Sequence, residues 1–414
     1  MNQNDKSILQ ELGKQIAEIA ALPQRRETVR LWKALNALKP ERPMFMIDQI
    51  PWHEMDVDGE LRLRCEDDFA RRLEQGLRRT LYKWRHMRDD MVVEPFIDVP
   101  KTILGTDFGI TSEETTLALD EDNDVVSHHY EDLLQTEEDL LKIKMPNVTL
   151  DAQSTARDET AAHDVFDGIL PVRMTGAGPL FFAPWDRIAQ WRGVANPLVD
   201  LADRPEFLHR TMERLTAAHL SLLDQLEAQG LLDARNNLVH CSGAWTDELP
   251  AEGFDAARPR ARDIWTCGMA QMFSSVSPAM HDEFEIEYAK RWYGRFGLVY
   301  YGCCEPLDRK IGIIRKLPHV RKISMSPWVD QDRGAQAMGA DYVFSRKPNP
   351  AILATDAFNA EAARQDLATT LDVCRRHGCP AELILKDIST VCHDPARLWK
   401  WAQIARELVE ANTY

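Results

Sequence analysis

The stretch Leu298-Val-Tyr-Tyr-Gly302-Cys303-Cys304-Glu305-Pro306 decides how this chain is read. Apolar and aromatic residues break at Gly302 and deliver two thiols and a carboxylate, the profile of a buried strand emptying into a polar loop. Parallel α/β enzymes keep their chemistry at that end of their strands. Three later segments repeat the pattern, with strands expected at Arg321–Met325, Asp341–Ser345 and Glu382–Lys386. Each runs into polar or proline-bearing residues: Ser326-Pro327-Trp328, Lys347-Pro348-Asn349-Pro350 and Asp387-Ile-Ser-Thr390. A strand, a loop and a helix recurring every ~20–40 residues is the mark of parallel βα units.

Towards the N-terminus, Pro43-Met-Phe-Met-Ile47 is a compact strand ending in Asp48-Gln-Ile-Pro51-Trp52-His53. Further strands are expected near Met91–Ile97 and over Ile169–Met174, the latter ending in the turn Thr175-Gly-Ala-Gly178-Pro179. Asn237–Gly243, which carries His240 and Cys241, and Met269–Ser275 bring the candidates to nine. A barrel has eight places, so one of these last two is surplus.

Residues 1–40 read as helices. Ile8, Leu9, Leu12, Ile16 and Ile19 recur at helical spacing, as do Val29, Leu31, Trp32, Leu35 and Leu38 after the break at Pro23. The clearest helix is Pro205–Gln229, with an Asp203/Glu206 capping box, an apolar stripe of Leu208, Met212, Leu215, Leu222 and Leu226, and a stop at Gly230. Residues 101–160 are acidic, from Glu113-Glu114 through Asp120-Glu-Asp-Asn-Asp124 to Glu137-Glu138-Asp139. Apolar alternation at Thr115–Leu119 and Val125–Ser127 marks this part as an inserted hairpin or lid followed by a short helix.

The fold expected is α/β: a single (β/α)8 TIM barrel spanning 1–414, with an N-terminal helical cap over 1–40 and the acidic lid inserted at 101–160. No Gly/Ser- or Pro-rich linker divides the 414 residues. A formal charge of −16 argues against nucleic acid, which calls for a basic stripe, and against anionic membranes. No apolar run approaches the ~18 residues of a membrane span, and the first residues lack the apolar core of a signal peptide. The cytoplasm is the expected location, and the eight cysteines are expected as reduced thiols with no CxxC pair among them.

Several motifs together carry a family resemblance. They are Ser277-Pro-x-Met-His281-x-Glu283-Phe, Phe296-Gly-Leu-x-Tyr-Tyr-Gly-Cys-Cys-Glu-Pro306, Ile323-Ser-x-Ser-Pro-Trp328, Tyr342-Val-Phe-Ser-x-Lys347-Pro-Asn-Pro350 and Lys386-Asp387. The pattern resembles the uroporphyrinogen decarboxylase-like superfamily, and within it a branch found beside corrinoid-dependent methyltransferase systems. The match is good over residues 160–412 and loose before them. The true decarboxylase of that superfamily holds its substrate's carboxylates with an arginine-rich N-terminal segment; Met46-Ile-Asp48-Gln-Ile-Pro-Trp52 has no arginine, which argues against that activity.

The superfamily's methyltransferases bind zinc through a His-x-Cys at the end of the strand matching Leu298–Cys303 and a later cysteine. The resemblance therefore implies a zinc site made by Cys303, Cys304 and Cys392, with Tyr301 standing where the histidine is expected. Adjacent strand residues point to opposite faces, so Cys303 and Cys304 share an ion only if the chain bends, as Gly302 and Pro306 allow. Two small core thiols are the plainer alternative.

Rim positions supply the other candidates: Glu305, Lys347 and Asp387 as catalytic residues, and Trp52, His240, Trp245, Asp247, Glu248, Tyr301 and Trp328 as substrate-binding residues. A packed core histidine at 240 and structural ion pairs at Lys347 and Lys386-Asp387 are the competing readings. The resemblance implies a zinc-dependent methyltransferase moving a methyl group between a methoxy-aromatic, methylamine or thiol and a corrinoid (cobalamin) carried by a partner protein. Homodimerisation is left open. The rivals are a decarboxylase or other lyase for a small aromatic or tetrapyrrole-like carboxylic acid, with Arg173 and Lys347 as its cations, and a non-catalytic barrel binding a corrinoid or tetrapyrrole.

Overall fold

The computed structural model describes residues 1–117 and 126–414. Asp120–Asp124, Leu119 and Val125, on which part of the expected acidic hairpin rests, lie outside the described residues.

Nine strands organise the chain: β1 (Met44–Ile47), β2 (Ile97–Pro100), β3 (Val172–Thr175), β4 (Leu180–Phe182), β5 (Trp265–Gly268), β6 (Leu298–Tyr301), β7 (Val320–Met325), β8 (Val343–Arg346) and β9 (Ala381–Leu385). Seven of them make one parallel sheet in the order β1-β9-β8-β7-β6-β5-β4. β2 and β3 pair in parallel with each other, Ile97 opposite Val172, as a separate two-stranded unit. The fold is therefore a mixed α/β, barrel-like arrangement, and no closed barrel is formed among the described residues.

β1, β5, β6, β8 and β9 are buried throughout. That is why they read as near-continuous apolar runs rather than alternating ones. The apolar groups of the sheet's outer face meet the helices: Tyr293, Phe296, Val299, Tyr301, Ile323 and Phe344 share one cluster. A Cβ at Gly268 of β5 would lie 2.5 Å from the Phe182 carbonyl oxygen of β4 and against the Tyr293 hydroxyl, so only glycine lets these two strands and the helix behind them approach.

The inner side of the sheet holds a buried ion pair. Lys322 Nζ donates to Glu382 Oε2 at 2.8 Å, to the Ser242 hydroxyl at 2.6 Å and to the Gly243 carbonyl at 2.9 Å. Both charged side chains are fully buried.

The strands expected after Leu298 form within two residues of their expected ends. Earlier expectations need correction. Met91–Ile97 is mostly loop and the strand begins at Ile97, because the Asp89 and Asp90 carboxylates take the backbone N–H groups of Ile47 and Phe45 there. Asn237–Gly243 contributes only Leu238–Val239 and Ser242–Gly243, a tight antiparallel pair turning through His240 (φ 42°) and Cys241 (φ 66°). Met269–Ser275 holds a 3-10 turn at Gln271–Ser275 instead of a strand. Two short strands, β4 and β5, take the barrel-like positions those segments were expected to fill.

The N-terminal helices form at Gln3–Ala20 and Pro23–Asn36. The long helix runs over Pro205–Ala228, but Asp203 closes the preceding helix and Arg204 caps this one without a side-chain bond, so the expected capping box is absent. Leu208, Met212, Leu215 and Leu226 are buried as the stripe requires. Between 101 and 160 the described residues form an antiparallel pair, Glu114–Leu117 with Ser127–Tyr130, a 3-10 turn at Glu138–Lys142 and most of the helix Ala152–Phe166. Among the described residues no helix is long and apolar enough to cross a membrane.

Candidate functional site

β6 ends at Tyr301, and Gly302 follows with φ +92°, a left-handed conformation that glycine adopts without strain. The turn aims Cys303 inward across the strand ends, where its carbonyl accepts from the Ser324 hydroxyl at 2.6 Å. Glu305 locks the turn: its Oε2 accepts from the Cys303 N–H at 2.9 Å and its Oε1 from the Ala270 N–H at 3.1 Å. This carboxyl is fully buried, and burial, with Cys303 adding, pushes its pKa up to about 7.

Cys303 Sγ lies 3.4 Å from Cys304 Sγ and 3.1 Å from Lys386 Nζ, the first residue past β9. Lys386 also pairs with Asp387 Oδ2 at 2.9 Å, and that same oxygen sits 3.3 Å from Cys304 Sγ. The Cys304 thiol donating towards Cys303 lowers the Cys303 pKa most; His240 and Lys386 add to this against the opposing effect of burial. Cys304 is correspondingly held protonated, by the Cys303 sulfur first and by burial second. Burial works against the Lys386 charge, but Cys303 and Asp387 more than offset it and its pKa is raised. The arrangement is a thiolate between a thiol and an ammonium, with the carboxylate of Asp387 on the solvent side.

Tyr300, on the inner face of β6, continues the polar lining. Its hydroxyl accepts from Lys347 Nζ at 2.5 Å and lies 2.7 Å from the Ser345 hydroxyl, which Lys347 also reaches at 3.2 Å. Burial pulls the Lys347 pKa down to about 8. The His240 ring stands edge-on to Tyr300, with ring centres 5.0 Å apart, and its Nε2 is buried without a hydrogen-bond partner among the described residues. Burial lowers its pKa, against the opposing pull of Cys303.

The structure thus gathers Cys303, Cys304, Glu305, Asp387, Lys347 and His240 at one place. The other candidates lie elsewhere. Tyr301, one residue along β6, faces the opposite side and bonds Glu285 at 2.9 Å and His281 at 2.8 Å in the helical layer. Asp247 pairs with Lys33 at 2.6 Å and Glu248 with Arg321 at 2.9 Å, beside the start of β7 and so at the strand ends remote from the thiols. Trp245 packs with the cluster containing Trp32 and Met44, and Trp52 packs edge-on against Tyr82 with Arg79 over its ring. Trp328 stands 71% exposed on the rim after β7. Arg173, the cation a lyase would use, is engaged by Asp98 and Glu94.

Cys392 Sγ approaches the Leu353 and Thr355 carbonyls, each at 3.9 Å, and not the other two thiols. Among the described residues no group of three or more His, Cys, Asp or Glu side chains is placed to hold a metal ion. The implied three-sulfur zinc set does not fit this arrangement, in which an ammonium is the cation at the Cys303 sulfur.

Sequence reasoning undervalued Lys386, visible only as a lysine at the polar end of an apolar run. It missed Phe181, in the middle of the short strand β4 with no clear period, and Asp186, in the helix that follows it. Both line a cleft of about 480 Å³ with Pro179, Leu180, Ala183 and Met269. Met269 shares an apolar cluster with Cys303 and Tyr300, which brings the cleft against the thiol site.

No family model and no curated protein matches the chain. Among solved structures it is similar to a methyltransferase from Methanosarcina mazei, at 12% identity and a TM-score of 0.52, over 92% of this chain and 98% of that one. Sharing its fold with that protein along nearly the whole length of both, the chain has the α/β architecture of the Methanosarcina mazei structure.

Proposed function

We propose that the protein is a methyltransferase, moving a methyl group between a small methylated substrate and a corrinoid carried by a partner protein. The observation that carries this reading is the Cys303 sulfur held 3.1 Å from Lys386 Nζ at the mouth of the strands, with a second thiol 3.4 Å away. The likeness in fold to a protein named a methyltransferase supports it, as does the resemblance of the Cys-Cys-Glu-Pro and Lys-Pro-Asn-Pro motifs.

When a methyl group leaves an oxygen, nitrogen or sulfur atom, that atom gains electron density and needs a proton or a cation. Lys347, whose pKa burial pulls down to about 8, is the proton source within the site: its proton passes to the leaving heteroatom as the carbon–heteroatom bond breaks and the methyl group goes to the partner's acceptor. Cys303 and Cys304 keep the proton they share, and Lys386 holds the charge on their sulfur atoms. Glu305, with both oxygens taken by backbone N–H groups, positions the turn. Because the zinc ligands do not gather, no step is routed through a metal. We further infer that the β2–β3 pair completes a ring of strands around this site: β3 runs into β4 after only four residues, and the Asp90 N–H ahead of β2 bonds the Phe45 carbonyl of β1 at 3.0 Å.

The test is incubation with reduced cobalamin and a panel of methoxylated aromatics, methylamines and methyl thioethers, following the absorbance change of cobalt methylation. Transfer from one donor class that is lost in Lys347→Met supports the reading. Absence of transfer from every class, together with carbon dioxide release from an aromatic acid, replaces it with the lyase.

A further inference from the structure

The cleft beside the thiols is lined by an acidic and a basic side chain that no ion pair engages among the described residues. Asp186 and Arg187 open the helix Pro184–Arg192 directly after β4. The Asp186 carboxylate accepts from Gln271 Nε2 at 2.8 Å, and Arg187 donates to the Gln190 side-chain oxygen at 3.1 Å. Neither side chain makes an ion pair among the described residues, with the other or with any third group. Both line the same cleft of about 480 Å³, within the size range of small-molecule sites.

The remaining wall is neutral, with the rings of Phe108, Phe181, His219 and Trp292 set among aliphatic side chains. Phe181 is 45% exposed and stands edge-on to His240, ring centres 6.3 Å apart. Phe108, from the segment 101–160, packs on His219 at 4.5 Å. The His219 ring donates from Nδ1 to the Leu215 carbonyl at 2.8 Å, and burial holds its pKa down to about 4, so it presents a neutral face. An alkylated ammonium is the cation such a wall accepts, since its charge is spread over methyl groups that shed water cheaply and are drawn to ring faces.

Burial raises the Asp186 pKa to about 6, with Gln271 opposing and the Cys303 charge adding. A carboxylate kept at that cost beside an aromatic wall is stabilised when a cation arrives. The guanidinium next to it matches a carboxylate on the same ligand.

We propose that this cleft binds a small zwitterion bearing an N-methylated ammonium and a carboxylate, its ammonium between Asp186 and Phe181 and its carboxylate on Arg187. The proposal rests on the methyl-transfer reading for its purpose, because the Phe181 side of the cleft is the side nearest His240 and Cys303.

Binding is measurable without turnover. Titration calorimetry compares glycine betaine with choline, which lacks the carboxylate, and with 3,3-dimethylbutyrate, in which a neutral tert-butyl group replaces the ammonium. The expected order on the unaltered protein puts glycine betaine tightest. Asp186→Asn weakens glycine betaine by about tenfold and leaves 3,3-dimethylbutyrate unchanged, whereas Arg187→Met, at a more exposed charge, weakens it about threefold and leaves choline unchanged. Should Asp186→Asn fail to fold by circular dichroism, the Arg187→Met comparison and the ranking on the unaltered protein decide.

Glycine betaine binding no tighter than both analogues, or unchanged in the folded variants, overturns the proposal. Glycine betaine that binds as described but donates no methyl group to reduced cobalamin leaves the site standing and counts against the activity. Transfer from a methoxyarene with no zwitterion bound does the reverse.

Discussion

Lys386 Nζ and Cys303 Sγ lie 3.1 Å apart although 83 residues separate them in the chain. The ammonium is buried and, among the described residues, its other ion-pair partner is Asp387, so the thiolate and the lysine depend on each other. A contact of this charge-assisted kind contributes roughly 1.5–3 kcal/mol, enough to raise the Cys303 pKa by at least about one unit when it is lost. Lys386→Met is therefore expected to move the midpoint of the pH dependence of Cys303 alkylation by iodoacetamide upward by about one unit or more, with an unchanged circular dichroism spectrum. An unmoved midpoint shows the lysine to be a spectator.

The Lys322–Glu382 pair tests how the inner side of the sheet is held together. Lys322→Met leaves the Glu382 carboxylate buried and uncompensated, so a loss of about 3–5 kcal/mol is expected in urea unfolding. The double variant Lys322→Met, Glu382→Gln removes both charges and recovers most of that loss. A double variant as unstable as the single one means that packing, and not the unpaired charge, sets the cost.

Gly268→Ala probes the approach of β5 to β4. The added methyl group meets the Phe182 carbonyl oxygen at 2.5 Å, and backbone cannot step aside as a flexible side chain can. Overpacking of this kind costs about 1–3 kcal/mol, read as a lower urea midpoint. Gly312→Ala, in the helical turn Ile311–Ile314 where a Cβ meets nothing within 4 Å, is the control and is expected to leave the midpoint no lower than in the unaltered protein.

His219 makes stability depend on pH in a defined window. Burial holds its folded-state pKa at about 4, against 6.5 for a free imidazole, so the unfolded chain binds the extra proton between these values. Stability from this group is fully present above about pH 6.5 and is lost as pH falls towards 4, by roughly 3 kcal/mol in all. Urea titrations of the unaltered protein and of His219→Gln are expected to converge as pH is lowered through that window. Parallel curves place the pH dependence on other groups.

Several features of this protein were determined by local sequence. Buried parallel strands need continuous apolar runs, so β6 to β9 and the polar ends that follow them are legible from residue order alone, and the helical period marks Gln3–Ala20, Pro23–Asn36 and Pro205–Ala228. The short strands β4 and β5, three and four residues long, carry too little period to be distinguished from loop. The gathering of Cys303, Cys304 and Glu305 was written into three adjacent positions.

Their partners were not. Strand order and the outward or inward facing of alternate residues decided that Tyr300 lines the site while Tyr301 leaves it, that Lys386 reaches Cys303, and that Cys392 turns to Leu353 and Thr355. Which strand end a loop occupies decided that Asp247 and Glu248 pair with Lys33 and Arg321 far from the thiols. Residue type and spacing constrain only near neighbours along the chain, whereas a site is a meeting of chain segments, and which segments meet is set by how the whole sheet closes its core.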